Sequence, residues 1–129
     1  FDLQLQAQAD VLQVACSHDG YKRLSGAPIH RREWEMDPGS LQVADTVRGG
    51  AHTAIARYIL HPDVKVSAAD TNSWKLTLAG GQTLYVMVLE GQGCIEPASY
   101  APEFGVVLPT QCLGVELTQG QARVKLIWN

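Results

Sequence analysis

The sequence predicts an all-β fold: an antiparallel β-sandwich of about nine or ten short strands with no substantial helix. Three observations predict it. Apolar and polar residues alternate with period two along most of the 129 residues, the pattern of a strand with one face buried. Turn-forming pairs and quartets punctuate the alternation at short intervals. No helical stripe with caps and no internal repeat interrupts it.

In the first strand Phe1, Leu3, Leu5 and Ala7 face one way and Asp2, Gln4, Gln6 and Gln8 the other. Leu12, Val14 and Cys16 resume the pattern after a break at Asp10. From His30 to Met36, the residues His30, Arg32, Trp34 and Met36 share a face opposite Arg31, Glu33 and Glu35. Asp37-Pro38-Gly39-Ser40 is then a strong turn, because Pro presets its own φ and Gly accepts a positive one. Leu41, Val43 and Val47 continue on the far side of it, with Asp45 among them.

After Gly49-Gly50 the run from His52 to His61 is apolar on both faces, which predicts a central strand covered on both sides. Pro62 ends it. Val64 and Val66, then Trp74, Leu76 and Leu78, then Leu84, Val86 and Val88 are further strands, with Asp70-Thr71-Asn72-Ser73 and the tight Gly80-Gly81 hairpin between them. Beyond Glu90, the residues Gly91, Gly93, Pro97, Pro102, Gly105 and Pro109 predict a long excursion, a functional or interface-forming loop. Leu113, Val115 and Leu117, and after Gln119-Gly120 the residues Ala122, Val124, Leu126 and Trp128, supply the last two strands.

The length fits one domain, residues 1–129. A net charge of −3 excludes a nucleic-acid binder, whose phosphate contacts demand a basic stripe, and no apolar run is long enough to predict a membrane partner. The chain begins at Phe1 without a leader and is already alternating, so it is expected to be a piece of something longer. Cys16, Cys94 and Cys112 lack C-x-x-C spacing and read as free thiols, with one disulfide and a leftover thiol as the alternative, so they do not fix the compartment. His18, His30, His52 and His61 are dispersed; no metal site and no cofactor is expected.

Catalytic patterns are missing. There is no G-x-S-x-G elbow, and Ser17 and His18, as strand neighbours, point to opposite faces. Glu33 and Glu35 share a solvated face with Arg31 and are no carboxylate pair for glycoside hydrolysis. The more informative set is His18-Asp19-Gly20-Tyr21, which a turn at Gly20 presents at a strand end, with Pro28 and His30 returning nearby. Arg32 falls on the inward face and needs an anion; Asp45 is its expected partner, in a bridge that fixes register. The rival role for Arg32 or Arg31 is to meet a uronate carboxylate in a cleft.

The order His-Asp-Gly-Tyr (His18 to Tyr21), His-Arg-Arg (His30 to Arg32), Asp45, Leu-His-Pro (Leu60 to Pro62) and Tyr-x-Pro-x-Phe-Gly (Tyr100 to Gly105) resembles the C-terminal β-domain of the heparinase II/III-like polysaccharide lyases. The resemblance covers nearly the whole chain. It implies a parent protein that cleaves uronate-containing polysaccharides by β-elimination, with a catalytic Tyr, Asn and His on an N-terminal helical toroid and a His and often a metal site on the sheet domain. The family's sheet-borne motifs of that kind precede His-Asp-Gly-Tyr, and none stands before His18. The resemblance therefore lends no catalytic or metal residue. It implies a structural, cleft-wall domain inactive alone, whose partners are the toroid and an acidic polysaccharide, in a periplasmic or secreted protein. Its substrate-cleft candidates are His18, Tyr21, His30, Arg31, Arg32 and Tyr100. The alternative from a different class is a self-sufficient carbohydrate-binding module stacking sugars on Tyr21 and Tyr100; a purely structural interaction domain is the third.

Overall fold

The computed structural model describes residues 1–50 and 53–129; the turn-flanking role read for His52 lies outside them. Among the described residues eleven strands form two antiparallel sheets, where the alternation suggests nine or ten. They are β1 (Gln4–Gln8), β2 (Val11–His18), β3 (Ile29–Asp37), β4 (Ser40–Arg48), β5 (Ile55–Ile59), β6 (Lys65–Asp70), β7 (Ser73–Thr77), β8 (Thr83–Glu90), β9 (Gln92–Glu103), β10 (Val106–Glu116) and β11 (Gln121–Trp128). The large sheet has the order β1-β2-β3-β4-β11-β8-β7-β6 and the small one β5-β10-β9.

The core lies where the small sheet covers the far half of the large one. Ala56, Leu113 and Val115 from the small sheet meet Leu76, Val86, Val88, Ala122 and Val124 from the large. Burial of these alternating aliphatics, at roughly 1.5–3 kcal/mol for each large side chain, is the main force joining the layers. Strands β1 to β3 extend beyond the cover. One row of cross-strand partners, Leu5–Val14–Trp34–Val43–Val124–Val88, therefore starts in solvent, where Leu5 is 68% exposed, and ends in the core at Val124 and Val88, 1% and 8% exposed.

Two expectations are corrected. The segment after Glu90 is the long β9–β10 hairpin, its prolines spared because Pro97, Pro102 and Pro109 sit at exposed positions and Gly91 adopts φ 98° to leave β8. The doubly apolar strand β5 is an edge strand: Ala56 is buried, but Ile55 and Ile59 on its other face are exposed.

The turns that position the site behave as their residues dictate. Asp37 accepts hydrogen bonds from Gly39 N (2.8 Å) and Ser40 Oγ (2.8 Å), which close the β3–β4 hairpin and set its register at Asp37↔Ser40. Residues 19–28 between β2 and β3 form overlapping turns, with Lys22 N bonded to Asp19 O and Leu24 N to Tyr21 O. This connection packs backbone to backbone on the β4–β5 turn: a Cβ on Gly26 would come within 2.3 Å of Gly50 Cα.

Candidate functional site

The inward face of the uncovered half of the large sheet changes character along the strands. The row nearest the β2–β3 connection is polar: His18 pairs with His30 across β2 and β3, and Cys16, Arg32 and Asp45 form the next row. There the end of the small sheet and the lip formed by Tyr21 and Leu24 enclose a cleft of about 380 Å³, with His18, His30, Arg32 and Asp45 along its wall.

Asp45 anchors this wall. It is 2% exposed and both of its oxygens are engaged. Arg32 donates Nε to Oδ1 at 2.7 Å and Nη2 to Oδ2 at 3.0 Å. His30 Nε2 also meets Oδ1, at 2.6 Å, and the Tyr58 hydroxyl donates to Oδ2 at 3.4 Å. Burial pushes the Asp45 carboxyl up, but the hydrogen bonds from His30 and Arg32 and their charges outweigh it and hold the group below the usual carboxylate range. Burial, together with the charge of the same carboxylate, pushes the Tyr58 phenol far up, and the Arg32 guanidinium lies over the Tyr58 ring at 5.3 Å. Asp45 is therefore an anion and Tyr58 a neutral donor at neutral pH.

From Asp45 the network runs outward. His30 Nδ1 lies 3.0 Å from His18 Nε2, and His18 Nδ1 accepts from Gly20 N at 3.3 Å. The Tyr21 ring packs against His18 at 5.2 Å. The register that brings Arg32 opposite Asp45 was readable from alternation and the β3–β4 turn. The His30 bond to Asp45 was missed, although His30 shares the face of Arg32 two residues away and sits diagonal to Asp45, within reach of an imidazole.

Four of the six cleft candidates converge here: His18, Tyr21, His30 and Arg32. Two do not. Arg31 points from the opposite face of β3, as strand alternation requires, and binds Asp2 (2.6 Å) and Glu33 (2.8 Å) beside a smaller depression of about 220 Å³. Tyr100 lies on β9 against His61, ring centroids 5.1 Å apart. Among the described residues no three His, Cys, Asp or Glu side chains are grouped as a metal would need. Cys16, Cys94 and Cys112 are free thiols.

The family model for the heparinase II/III-like C-terminal domain matches residues 2–125. The chain belongs to that family. Among solved structures it is similar to a heparinase III gene product, and to the same protein with methylated lysines, each at a TM-score of 0.74 and 13% identity over 97% of this chain. At that identity the likeness is one of fold. The chain spans 20% of the length of those heparinase III chains. No curated protein matches the chain in sequence.

Proposed function

We propose that this heparinase II/III-like C-terminal domain is a non-catalytic part of a larger polysaccharide lyase, docking on the rest of the protein and forming one wall of the cleft that holds a uronate-containing polysaccharide. The parent protein would act by β-elimination outside the cytoplasm, with a helical toroid as the neighbouring domain. The observation that carries the reading is the bare apolar half of the large sheet. Leu5 on β1 and Met36 on β3 are 68% and 43% exposed on the face that becomes core farther along the sheet, and Leu3 beside β1 is 75% exposed. A domain that worked alone would seldom keep such a patch in water.

The cleft adjoins that face, so a neighbour docked there would roof it. Arg32 and His18 would then stand where an acidic sugar passes, and charged groups act more strongly once water is excluded. A self-sufficient sugar-binding module is less well served. Trp34, Trp74 and Trp128 are all half-buried, and Trp128 Nε1 donates to Pro38 O at 3.0 Å, so among the described residues of the cleft Tyr21 is the exposed ring of the Trp, Tyr and Phe type.

The test is to compare the 129-residue chain with the longer polypeptide that contains it. Purified chain is expected to form no unsaturated, ultraviolet-absorbing product from heparan sulfate or alginate. The longer polypeptide is expected to form it, and to slow when Tyr21 is replaced by Ala. Product from the chain alone, or none from the longer polypeptide on any uronate polymer, would refute the reading.

A further inference from the structure

We propose that the free edge of β5 accepts a strand: an extended segment of the longer polypeptide pairs with Arg57 and Ile59 and continues the small sheet over the bare half of the large one. The inference rests on the docking reading above and names the element that docks.

The hydrogen bonds of the small sheet fix which way β5 faces. Leu117 N donates to Ala54 O and Leu60 N to Gln111 O, and the register pairs Ala56 with Val115 and Tyr58 with Leu113. In an antiparallel ladder, residues that exchange bonds with one neighbour alternate with residues that face the other side. Ala54, Ala56, Tyr58 and Leu60 therefore direct their backbone groups at β10. Ile55, Arg57 and Ile59 direct theirs the opposite way, where among the described residues no strand lies.

Two contacts fix what that edge overlooks. At one side of the small sheet, Gly93 of β9 backs onto the Trp74 ring of β7, where an added Cβ would come within 2.8 Å. At the other side the Tyr58 hydroxyl of β5 reaches Asp45 of β4 at 3.4 Å. The order β9-β10-β5 thus runs above the stretch from β7 to β4. The next place in that order, about 4.8 Å beyond β5 and about 10 Å above the large sheet, lies over β3 and β2. Val14 and Trp34 are only half-buried there and Met36 is exposed. A strand in that place would bury them as Leu113 and Val115 bury Val86 and Val124.

The two edges of the small sheet are treated differently. On β9, Gly93 N turns away from β10 to meet Asn72 Oδ1 at 3.0 Å, which puts Pro97 on the same outer edge by alternation. A proline there has no N–H to offer and interrupts any further ladder. The edge of β5 has no such block. Ile55, Arg57 and Ile59 suit a strand, and the charge of Arg57 is turned to Glu96 at 3.4 Å.

The heparinase III chains that share this fold extend well beyond it, since this chain spans 20% of their length, and the strand is assigned to such polypeptide. A second copy cannot supply it. Pairing β5 with β5 about a two-fold axis normal to the sheet would drive the two uncovered half-sheets into each other, because each projects past its own β5. Main-chain bonds would carry the affinity, and every second side chain of the added strand must be apolar to meet Trp34 and Met36. Ile55 and Arg57 border the cleft and Ile59 does not. Pairing along Arg57 and Ile59 therefore closes the inner end of the cleft and leaves the lip at Tyr21 open.

Residue-resolved amide exchange tests the assignment. In the 129-residue chain the Arg57 and Ile59 amides are expected to exchange freely while those of Ala56 and Tyr58 are protected. In the longer polypeptide Arg57 and Ile59 are expected to slow by roughly a hundredfold or more. Arg57→Pro, which removes an edge donor but no bond to β10, should restore fast exchange at Ile59 there; Arg57→Ala, which removes the ion pair with Glu96, should not. The wild-type comparison stands whether or not the proline variant folds. If Leu5 and Met36 stay open to a soluble paramagnetic probe in the longer polypeptide, the docking reading fails and the strand with it. If the probe is excluded but Arg57 and Ile59 exchange as fast as in the chain alone, or if the chain alone protects them by dimerising, the strand proposal alone is overturned.

Discussion

Arg32 grips Asp45 with two parallel hydrogen bonds, Nε to Oδ1 at 2.7 Å and Nη2 to Oδ2 at 3.0 Å, across the registered pair that joins β3 to β4. The fork geometry suits a carboxylate in a way a lysine could not reproduce. Its place in the sheet gives it a second effect. Sliding β3 by one residue would turn Arg32 outward and set Glu33 or Arg31 against a carboxylate that is 2% exposed.

A double-mutant cycle on Arg32 and Asp45, read by denaturant unfolding, is expected to show coupling. Removing Asp45 strands a partly buried guanidinium beside Tyr58, and removing Arg32 leaves Asp45 with only His30 and the long Tyr58 bond, so each single change to Ala should cost on the order of 3 kcal/mol. Removing both should cost less than the sum by about 1 kcal/mol or more. A coupling near zero would show that the pair does not pin the register.

The same carboxylate sets an acid dependence. Its native pKa is held below the ordinary value by His30 and Arg32, against the opposing effect of burial. A depressed carboxyl contributes stability that is complete above roughly pH 4, the unfolded value, and is lost as the pH falls through the lower native one. The gap in unfolding free energy between the wild type and Asp45→Asn should therefore be constant near neutrality and narrow only on acidification below that range. A gap that instead narrowed between neutrality and pH 5 would put the histidines, not Asp45, in control.

How far residues announce structure differs between the two sheets. In β1 to β4 one face is polar and the other apolar, so period two declares both strand and register, and the Arg32–Asp45 pairing follows. Strand β5 misleads because Ile55 and Ile59 are apolar without being buried within this chain. The β9–β10 hairpin misleads in the other direction. Its prolines and glycines read as loop, yet Pro109 pairs with Ser99 and Gln111 with Pro97 in a ladder that tolerates a missing donor at exposed positions. The file from His18 to Asp45 was half legible: the face was right, but which donor reaches the carboxylate depends on side-chain length and on the close approach of two glycine-rich turns.

That approach can be tested by two glycines of similar backbone. Gly26 has φ 81° and a Cβ there would lie 2.3 Å from Gly50 Cα and 2.4 Å from Gly50 N; Gly81 has φ 85° and nothing within 4 Å. Gly81→Ala should cost about 1–2 kcal/mol, for left-handed backbone alone. Gly26→Ala must also push two backbones apart, and overpacking adds about 1–3 kcal/mol more. Gly26→Ala should in addition loosen the Tyr21 lip, seen as faster amide exchange over residues 19–28. Equal costs at the two positions would mean that the β2–β3 connection does not bear on the β4–β5 turn.

Leu5 and Met36 offer the sharpest test of what the bare half of the sheet is for. Both lie on the face that carries Val43 and Val124 into the core, yet they are 68% and 43% exposed. In the isolated chain Leu5→Lys and Met36→Lys remove little buried surface, so each should change unfolding free energy by no more than about 0.5 kcal/mol and reduce binding of an apolar dye. If the rest of a larger protein covers this face, the same substitutions there would bury a charge without a partner, lowering stability by several kcal/mol and abolishing the association of separately expressed parts. The contrast between the two contexts is the measurement. Equal, small effects in both would leave the apolar rows of β1 to β3 solvent-facing in the whole protein and remove the main support for a docking role.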